Sequence, residues 1–283
     1  MKKSLLLEDA FLQFITDKKP TTTKTYKHLY TKFFSEKFAT ANILNCRERN
    51  KLVTYVKKIN NVSISTISAL LRAIFRDAIS RYNLTFENPI KILKKAKSIH
   101  EGISLSNDQI NQVLDCLRKN EEARLLLLFL VAIYTGQRIS TILSMQKSDF
   151  TNDLSVWHIS AANTKNARPH KVHICDYLRE ELHRNIGQKS GYVFSNSSNK
   201  KVPIHKDTAH RILKNFLQKN ELPQFTWHDC RRTFITHMAT KHSVYVAREL
   251  VGINSVRVLE QHYIKIADNN KKNAMNFSYG NQL

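Results

Sequence analysis

Residues 125–140 read LLLLFLVAIYTGQRIS. The apolar run from Leu125 to Tyr134 is about half the ~20 residues a membrane span needs, so it predicts a helix buried inside a globular core. Gly136 then breaks that helix. Arg138 follows at the start of a new apolar pattern formed by Ile139, Ile142 and Leu143. An arginine entering a helix from a glycine break can be held rigidly, although for an isolated Thr-Gly-x-Arg a surface arginine beside a turn is the plainer reading.

Upstream of this stretch, residues 103–117 (ISLSNDQINQVLDCL) predict a capped amphipathic helix. Ser106 or Asn107 is its N-cap, and Ile110, Val113, Leu114 and Leu117 form its inner face. It opens a second domain. Before it, Asn88–Pro89 closes an earlier helical pattern, and Lys91, Lys94, Lys95 and Lys97 mark a basic linker. The boundaries expected are 1–95 for a helical bundle, 96–103 for the linker, 104–266 for the second domain and 267–283 for a tail. Within the bundle, helical periodicity covers Leu5–Ile15, Thr22–Phe38, Lys51–Ile59 and Ser65–Tyr82. Thr21, Thr22 or Thr23 is expected to cap the second block, and Ser65 or Thr66 the last. Arg72, Arg76 and Arg81 lie beside the last block's apolar stripe of Leu70, Ala73, Ile74 and Ala78, where they suit either a solvated face or DNA phosphates.

Downstream, the pattern changes to alternation at Leu154–Ile159, passes through turn residues 163–169, and resumes at His170–Ile174. This predicts a β-hairpin with a basic tip. Tyr192–Val193–Phe194 is a candidate further strand. Helical periodicity returns from His205 to Leu217 and from Trp227 onward. With only six Gly and five Pro in 283 residues, the fold class expected is mainly α with a small β-hairpin in the C-terminal domain.

The chain holds 45 Lys and Arg against 23 Asp and Glu, a net charge of +22. Residues 1–95 carry 19 basic residues and 7 acids, a net of +12, which leaves +10 for the remainder. Both halves are basic, so no single tail explains the imbalance and a polyanionic partner is implied. The four cysteines, Cys46, Cys116, Cys175 and Cys230, lie far apart with no metal-ligand spacing, so reduced thiols and neither zinc nor a disulfide framework are expected. Glu8 and Asp9 interrupt the first apolar run before a signal-peptide core could form, and a soluble cytoplasmic protein is expected.

Four features could carry chemistry, each ordinary when taken alone. Arg138 is the first. In the second, Trp227–His228–Asp229–Cys230–Arg231–Arg232–Thr233–Phe234 preceded by Thr226, His228 and Arg231 are spaced to share a helix face while Phe234, Ile235 and Met238 pack inward. An imidazole beside a guanidinium suits a phosphodiester: bidentate charge for the oxygens and a group that moves a proton near neutral pH. The third is Lys165 at the hairpin tip, which by itself reads as a solvated lysine. The fourth is Tyr263, which follows the turn Val251–Gly252–Ile253–Asn254. A phenol with a pKa of ~10 needs nearby cations before it can serve as a nucleophile.

Taken in order, Arg138, Lys165, His228-x-x-Arg231, the glycine turn and Tyr263 resemble the tyrosine recombinase family of phage integrases and Xer-like enzymes. The resemblance implies a two-domain DNA clamp, with a SAM-like core-binding domain and a catalytic domain. It further implies a metal-free, cofactor-free transesterification in which Tyr263 forms a 3′-phosphotyrosyl bond. Arg138 and Arg231 would clamp the phosphate, His228 would add a hydrogen bond, and Lys165 would protonate the leaving 5′ oxygen. The implied partners are double-stranded DNA, a homotetramer bridged by the C-terminal tail, and accessory DNA-bending proteins at the nucleoid. Two departures stand out. Thr141 occupies the position three after the first arginine, where the family has an acid. Asn254 or Ile253 occupies the family's second His or Trp position, and of the two only Asn254 can donate a hydrogen bond. These departures keep a catalytically inactive DNA-binding relative in view, and a type IB topoisomerase-like enzyme is the other alternative.

Overall fold

The computed structural model describes residues 4–59, 64–90, 102–164, 168–186, 191–196, 198–253 and 259. The chain divides into two compact units, Met1–Glu101 and Gly102–Leu283, each with its own apolar core.

In the first unit, α1 (Leu7–Ile15), α2 (Pro20–Tyr30), α3 (Glu36–Phe38), α4 (Cys46–Lys58) and α5 (Ile64–Tyr82) form a bundle. Leu7, Ala10, Phe11, Phe14 and Ile15 bury one face of α1, and Phe11 stacks on Tyr30 with ring centroids 4.0 Å apart. The expected helix Thr22–Phe38 is instead α2, a π-helical turn at Thr31–Ser35, and α3. It begins at Pro20 with Lys19 as N-cap, so Thr21–Thr23 lie inside the first turn and do not cap it. Proline wins this position because its fixed φ suits the first helical residue and its missing N–H is one the helix cannot use. Helix α4 starts at Cys46, five residues before the expected Lys51, because the Asn45 side chain accepts the Arg47 amide at 2.9 Å and caps it. Helix α5 is already helical at Ile64, so Ser65 and Thr66 are not its caps. Two of its three arginines have local partners. Arg72 donates to the Ile90 carbonyl, and Arg81 pairs with Asp77 at 3.1 Å.

The second unit is built around α7 (Ala123–Thr135), whose residues Leu127 to Ala132 are all buried. Helices α6 (Asn107–Lys119), α8 (Ile139–Leu143), α9 (Asp176–Ile186) and α11 (Trp227–Lys241) pack against it. Ser106 caps α6 and forms a capping box with Gln109, which settles the choice between Ser106 and Asn107. The hairpin pairs β1 (Val156–Ile159) with β2 (His170–His173) antiparallel, in the register Trp157 opposite Val172 and Ile159 opposite His170. Trp157, Ile159 and Val172 face the core while His158, Lys171 and His173 face outward, the period-2 alternation of a half-buried ribbon. Tyr192–Phe194 does not form the expected strand. Tyr192 makes an isolated bridge with Gln146, and Val193 donates to the Met145 carbonyl at 2.9 Å. Helix α10 (Lys206–Lys219) covers the core and accepts the Trp227 indole N–H at the Ala209 carbonyl, 3.1 Å away. Helix α12 (Val244–Val251) packs on α11 through Ala247 and Val251.

The fold is therefore mainly helical with one two-stranded antiparallel sheet among the described residues. No described helix is long and apolar enough to cross a membrane.

Candidate active site

A cleft of about 320 Å³ opens in the second unit. Gln137, Arg138 and Thr141 line it from the α7–α8 junction, Thr164, Arg168, Pro169 and His170 from the approach to β2, and Arg248, Glu249, Val251, Gly252 and Ile253 from the end of α12. Segments more than 100 residues apart in sequence meet there.

The α7–α8 junction has a defined cause. Gly136 takes a left-handed conformation, φ 61°, and ends α7 with its amide bonded to the Ala132 carbonyl at 3.1 Å. A Cβ at this position would sit 2.8 Å from Cγ of Phe234, so both backbone and packing demand glycine. Two residues later Arg138 is extended and N-caps α8, its carbonyl accepting the amides of Thr141 at 2.9 Å and Ile142 at 3.0 Å. Arg138 thus lines the cleft on a backbone fixed by the first turn of α8. Thr141, where an acid was the family expectation, donates its hydroxyl to the Asn163 carbonyl at 3.1 Å. It ties α8 to the hairpin loop and supplies Arg138 with no charge.

Helix α11 places the other two described candidates. The Asp229 carboxylate accepts the Thr226 amide at 2.8 Å and hydroxyl at 2.7 Å, and also the Ile103 amide at 3.1 Å, which anchors the helix start. His228 and Arg231, three apart on α11, differ in burial. Arg231 is 1% exposed, with Nη1 donating to the Gly136 carbonyl at 2.7 Å and Nη2 to the Val251 carbonyl at 3.3 Å. His228 is exposed. Its pKa is lowered by partial desolvation first, then by the charges of Arg231, Arg232 and Arg138, with Asp229 opposing them. Arg138 and Arg231 therefore both lie within electrostatic reach of the imidazole. Next to them, Cys230 is fully buried and its thiol pKa is pushed up by that burial, which removes it as a nucleophile.

At the end of α12, Gly252 is left-handed, φ 64°, and a Cβ there would meet the His170 ring at 3.2 Å. Ile253, one of the two residues considered for the second His or Trp position, is buried with Ala247, Val251 and Leu259. Asn254, Lys165 and Tyr263 lie outside the described residues. The Thr164 hydroxyl donates to the Arg168 carbonyl at 2.8 Å and accepts the Arg168 amide at 3.0 Å.

Sequence reading missed Gln137, Arg168, His170 and Arg248 as lining residues. Arg168 and His170 sit beside the basic hairpin tip, a local signal. Gln137 and Arg248 carry none, since only tertiary packing brings them to the cleft. Among the described residues no group of three or more His, Cys, Asp or Glu side chains could hold a metal ion.

The family model described as "Phage integrase family" matches residues 104–270. A curated relative named "Tyrosine recombinase", from Thermosipho africanus (strain TCF52B), is 22% identical over 258 residues, covering 81% of this chain and 89% of its own. Among solved structures, the Tn1549 transposon integrase in complex with circular intermediate DNA superposes with a TM-score of 0.76 at 14% identity, covering 97% of this chain and 100% of that one. A lambda integrase tetramer bound to a Holliday junction gives a TM-score of 0.73 at 17% identity, over 93% and 78% of the two chains.

Proposed function

The chain belongs to the phage integrase family, and from that premise we propose that it is a tyrosine-type site-specific DNA recombinase in which Tyr263 forms the covalent bond to DNA. One observation carries the reading. Arg138 lines the cleft, and its charge and that of Arg231 both act on His228, the three residues that match the family's Arg and His-x-x-Arg positions.

In the proposed reaction the Tyr263 oxygen attacks phosphorus and the 5′ oxygen leaves, giving a 3′-phosphotyrosyl bond. The depressed pKa keeps His228 neutral near pH 7, the form that accepts the phenol proton. Lys165 supplies a proton to the departing oxygen. Arg138 stabilises the charge that grows on the non-bridging oxygens, and Arg231 joins it if its guanidinium turns from the carbonyls that now hold it. A 5′ hydroxyl from a partner strand then reverses the steps, and because one phosphodiester replaces another the exchange has no need of ATP or a metal. Asn254 is the proposed extra donor, since Ile253 is apolar and buried.

Double-stranded DNA is the proposed partner, in keeping with the net charge of +22 and with the DNA-bound neighbours. Residues 1–95 are assigned to core binding, 104–266 to catalysis, and 267–283 to a tail bridging a homotetramer, with accessory DNA-bending proteins completing the assembly.

The test is incubation with a supercoiled plasmid carrying candidate sites, quenched with detergent. Covalent protein–DNA adducts and recombinants from the wild type, both lost in Tyr263→Phe, are expected. No wild-type adduct, or an undiminished adduct from Tyr263→Phe, would overturn the proposal, and relaxed topoisomers without recombinants would point to a topoisomerase.

A further inference from the structure

A helix leaves its last four carbonyls without intrahelical donors. At the end of α12 the left-handed Gly252 lets the chain fold back, so the Glu249 carbonyl accepts the Gly252 amide at 3.2 Å and the Arg248 carbonyl accepts the Ile253 amide at 3.2 Å. The last two carbonyls go elsewhere. Leu250 accepts Gln137 Nε2 at 3.1 Å and contacts His170 Nε2 at 3.1 Å, and Val251 accepts Arg231 Nη2 at 3.3 Å. A carbonyl can only accept, so the contact sets His170 as the tautomer protonated at Nε2.

These donors come from three different places: the α7–α8 junction, the start of β2, and α11. Gln137 immediately precedes Arg138. His170 opens β2, and its ring packs against Gly252. The carbonyl of Leu250 is therefore where the junction bearing Arg138, the start of β2 and the end of α12 are held in register.

We propose that Gln137 and His170 are positioning residues: by sharing the Leu250 carbonyl they set the end of α12, and through it Gly252 and Ile253, against Arg138 and the start of β2. The proposal rests on the tyrosine recombinase reading for its effect on catalysis, but its structural half stands independently. Both line the cleft, and the role assigned to them is exerted through the backbone they hold. Misplacement of a reacting group by about 1 Å costs on the order of 100-fold in rate, so loss of either donor should slow chemistry far more than it weakens DNA binding.

The test combines two measurements on the full chain. In the free protein, His170→Ala and Gln137→Leu should each speed amide hydrogen exchange at Gly252 and Ile253 about tenfold, while the Gln109 amide in the α6 capping box keeps its rate. With supercoiled plasmid carrying candidate sites, both variants should form covalent adduct 10- to 100-fold more slowly. Their Kd for a nonspecific duplex and their melting temperature should stay near wild type. His170→Gln, which places an amide N–H near the Nε2 position, should recover most of the lost rate. Unchanged exchange at Gly252 and Ile253 would overturn the inference, as would adduct formation that is unaltered or falls only in step with melting temperature or duplex affinity. A wild type that forms no adduct would defeat the recombinase reading alone, and the exchange measurement would still decide this one.

Discussion

The guanidinium of Arg231 donates to the carbonyl of Gly136, 95 residues earlier in the chain, at 2.7 Å. With its second bond to Val251, the side chain holds the glycine break beside Arg138 and the end of α12 together from within α11. Arg231→Ala would leave two buried carbonyls unsatisfied as well as a cavity, and is expected to destabilise the second unit by about 3 kcal/mol. Arg231→Lys keeps the charge but not the fork geometry, so it should fall between alanine and wild type. Urea unfolding of both variants checks the order, and equal stability of wild type and alanine variant would refute it.

Gly136 and Gly191 both have positive φ, 61° and 96°, yet their surroundings differ. The first faces the Phe234 ring, whereas the nearest atom to a Cβ at the second is the Lys200 carbonyl at 4.0 Å. Gly136→Ala combines backbone strain with a collision and should cost about 3 kcal/mol or more; Gly191→Ala carries only the strain, about 1–2 kcal/mol. Thermal melts of the pair should separate the two contributions, and combining Gly136→Ala with Phe234→Leu should recover part of the larger loss.

Asp229 does more than cap a helix. Its carboxylate accepts from Thr226 and also from the Ile103 amide, joining the start of the second unit to α11. Asp229→Ala is therefore expected to cost about 2–3 kcal/mol, against about 1 kcal/mol for Ser106→Ala, an exposed cap with a local partner. Comparable midpoints for the two would show that the Ile103 contact adds nothing.

His228 and His237 both have lowered pKa values in the folded state, each through desolvation first and neighbouring cationic groups second. The unfolded chain then binds more protons than the folded one around pH 6.5 and just below. Stability should rise with pH through that window and fall on acidification. Replacing both histidines with asparagine should flatten the difference in urea midpoint between pH 7.5 and 5.5. A steeper dependence in the double variant would contradict the assignment.

Much of this architecture could be read before the structure, for physical reasons that also mark where reading stops. Helix α6 was legible because its inner face and the Ser106–Gln109 box are both local patterns. The hairpin was legible because Trp157, Ile159 and Val172 alternate with outward-facing residues. The glycine break that sets Arg138 at the start of α8 was legible from Gly136 itself. The inward turn of the Arg231 side chain was not, because it depends on carbonyls of Gly136 and Val251 that no spacing rule connects. Gln137 stayed hidden for the same reason. The π-helical turn at Thr31–Ser35 leaves the apolar pattern continuous, so α2 and α3 read as one helix. The first turn of α4 is polar and hid from apolar periodicity, although Asn45 was its available cap.

The burial of α7 bears finally on how the second unit acquires its structure. A helix whose residues Leu127 to Ile133 are all buried cannot be shielded by its sequence neighbours α6 and α8 alone. It must wait for α9 and α11, the latter contributed from about 100 residues downstream. Folding should accordingly be slow and all-or-none for this unit, with a transition state that already brings α11 onto α7. Until α11 has been synthesised, the run from Leu125 to Tyr134 remains an exposed apolar surface, and a nascent chain truncated before Trp227 is expected to be a chaperone client.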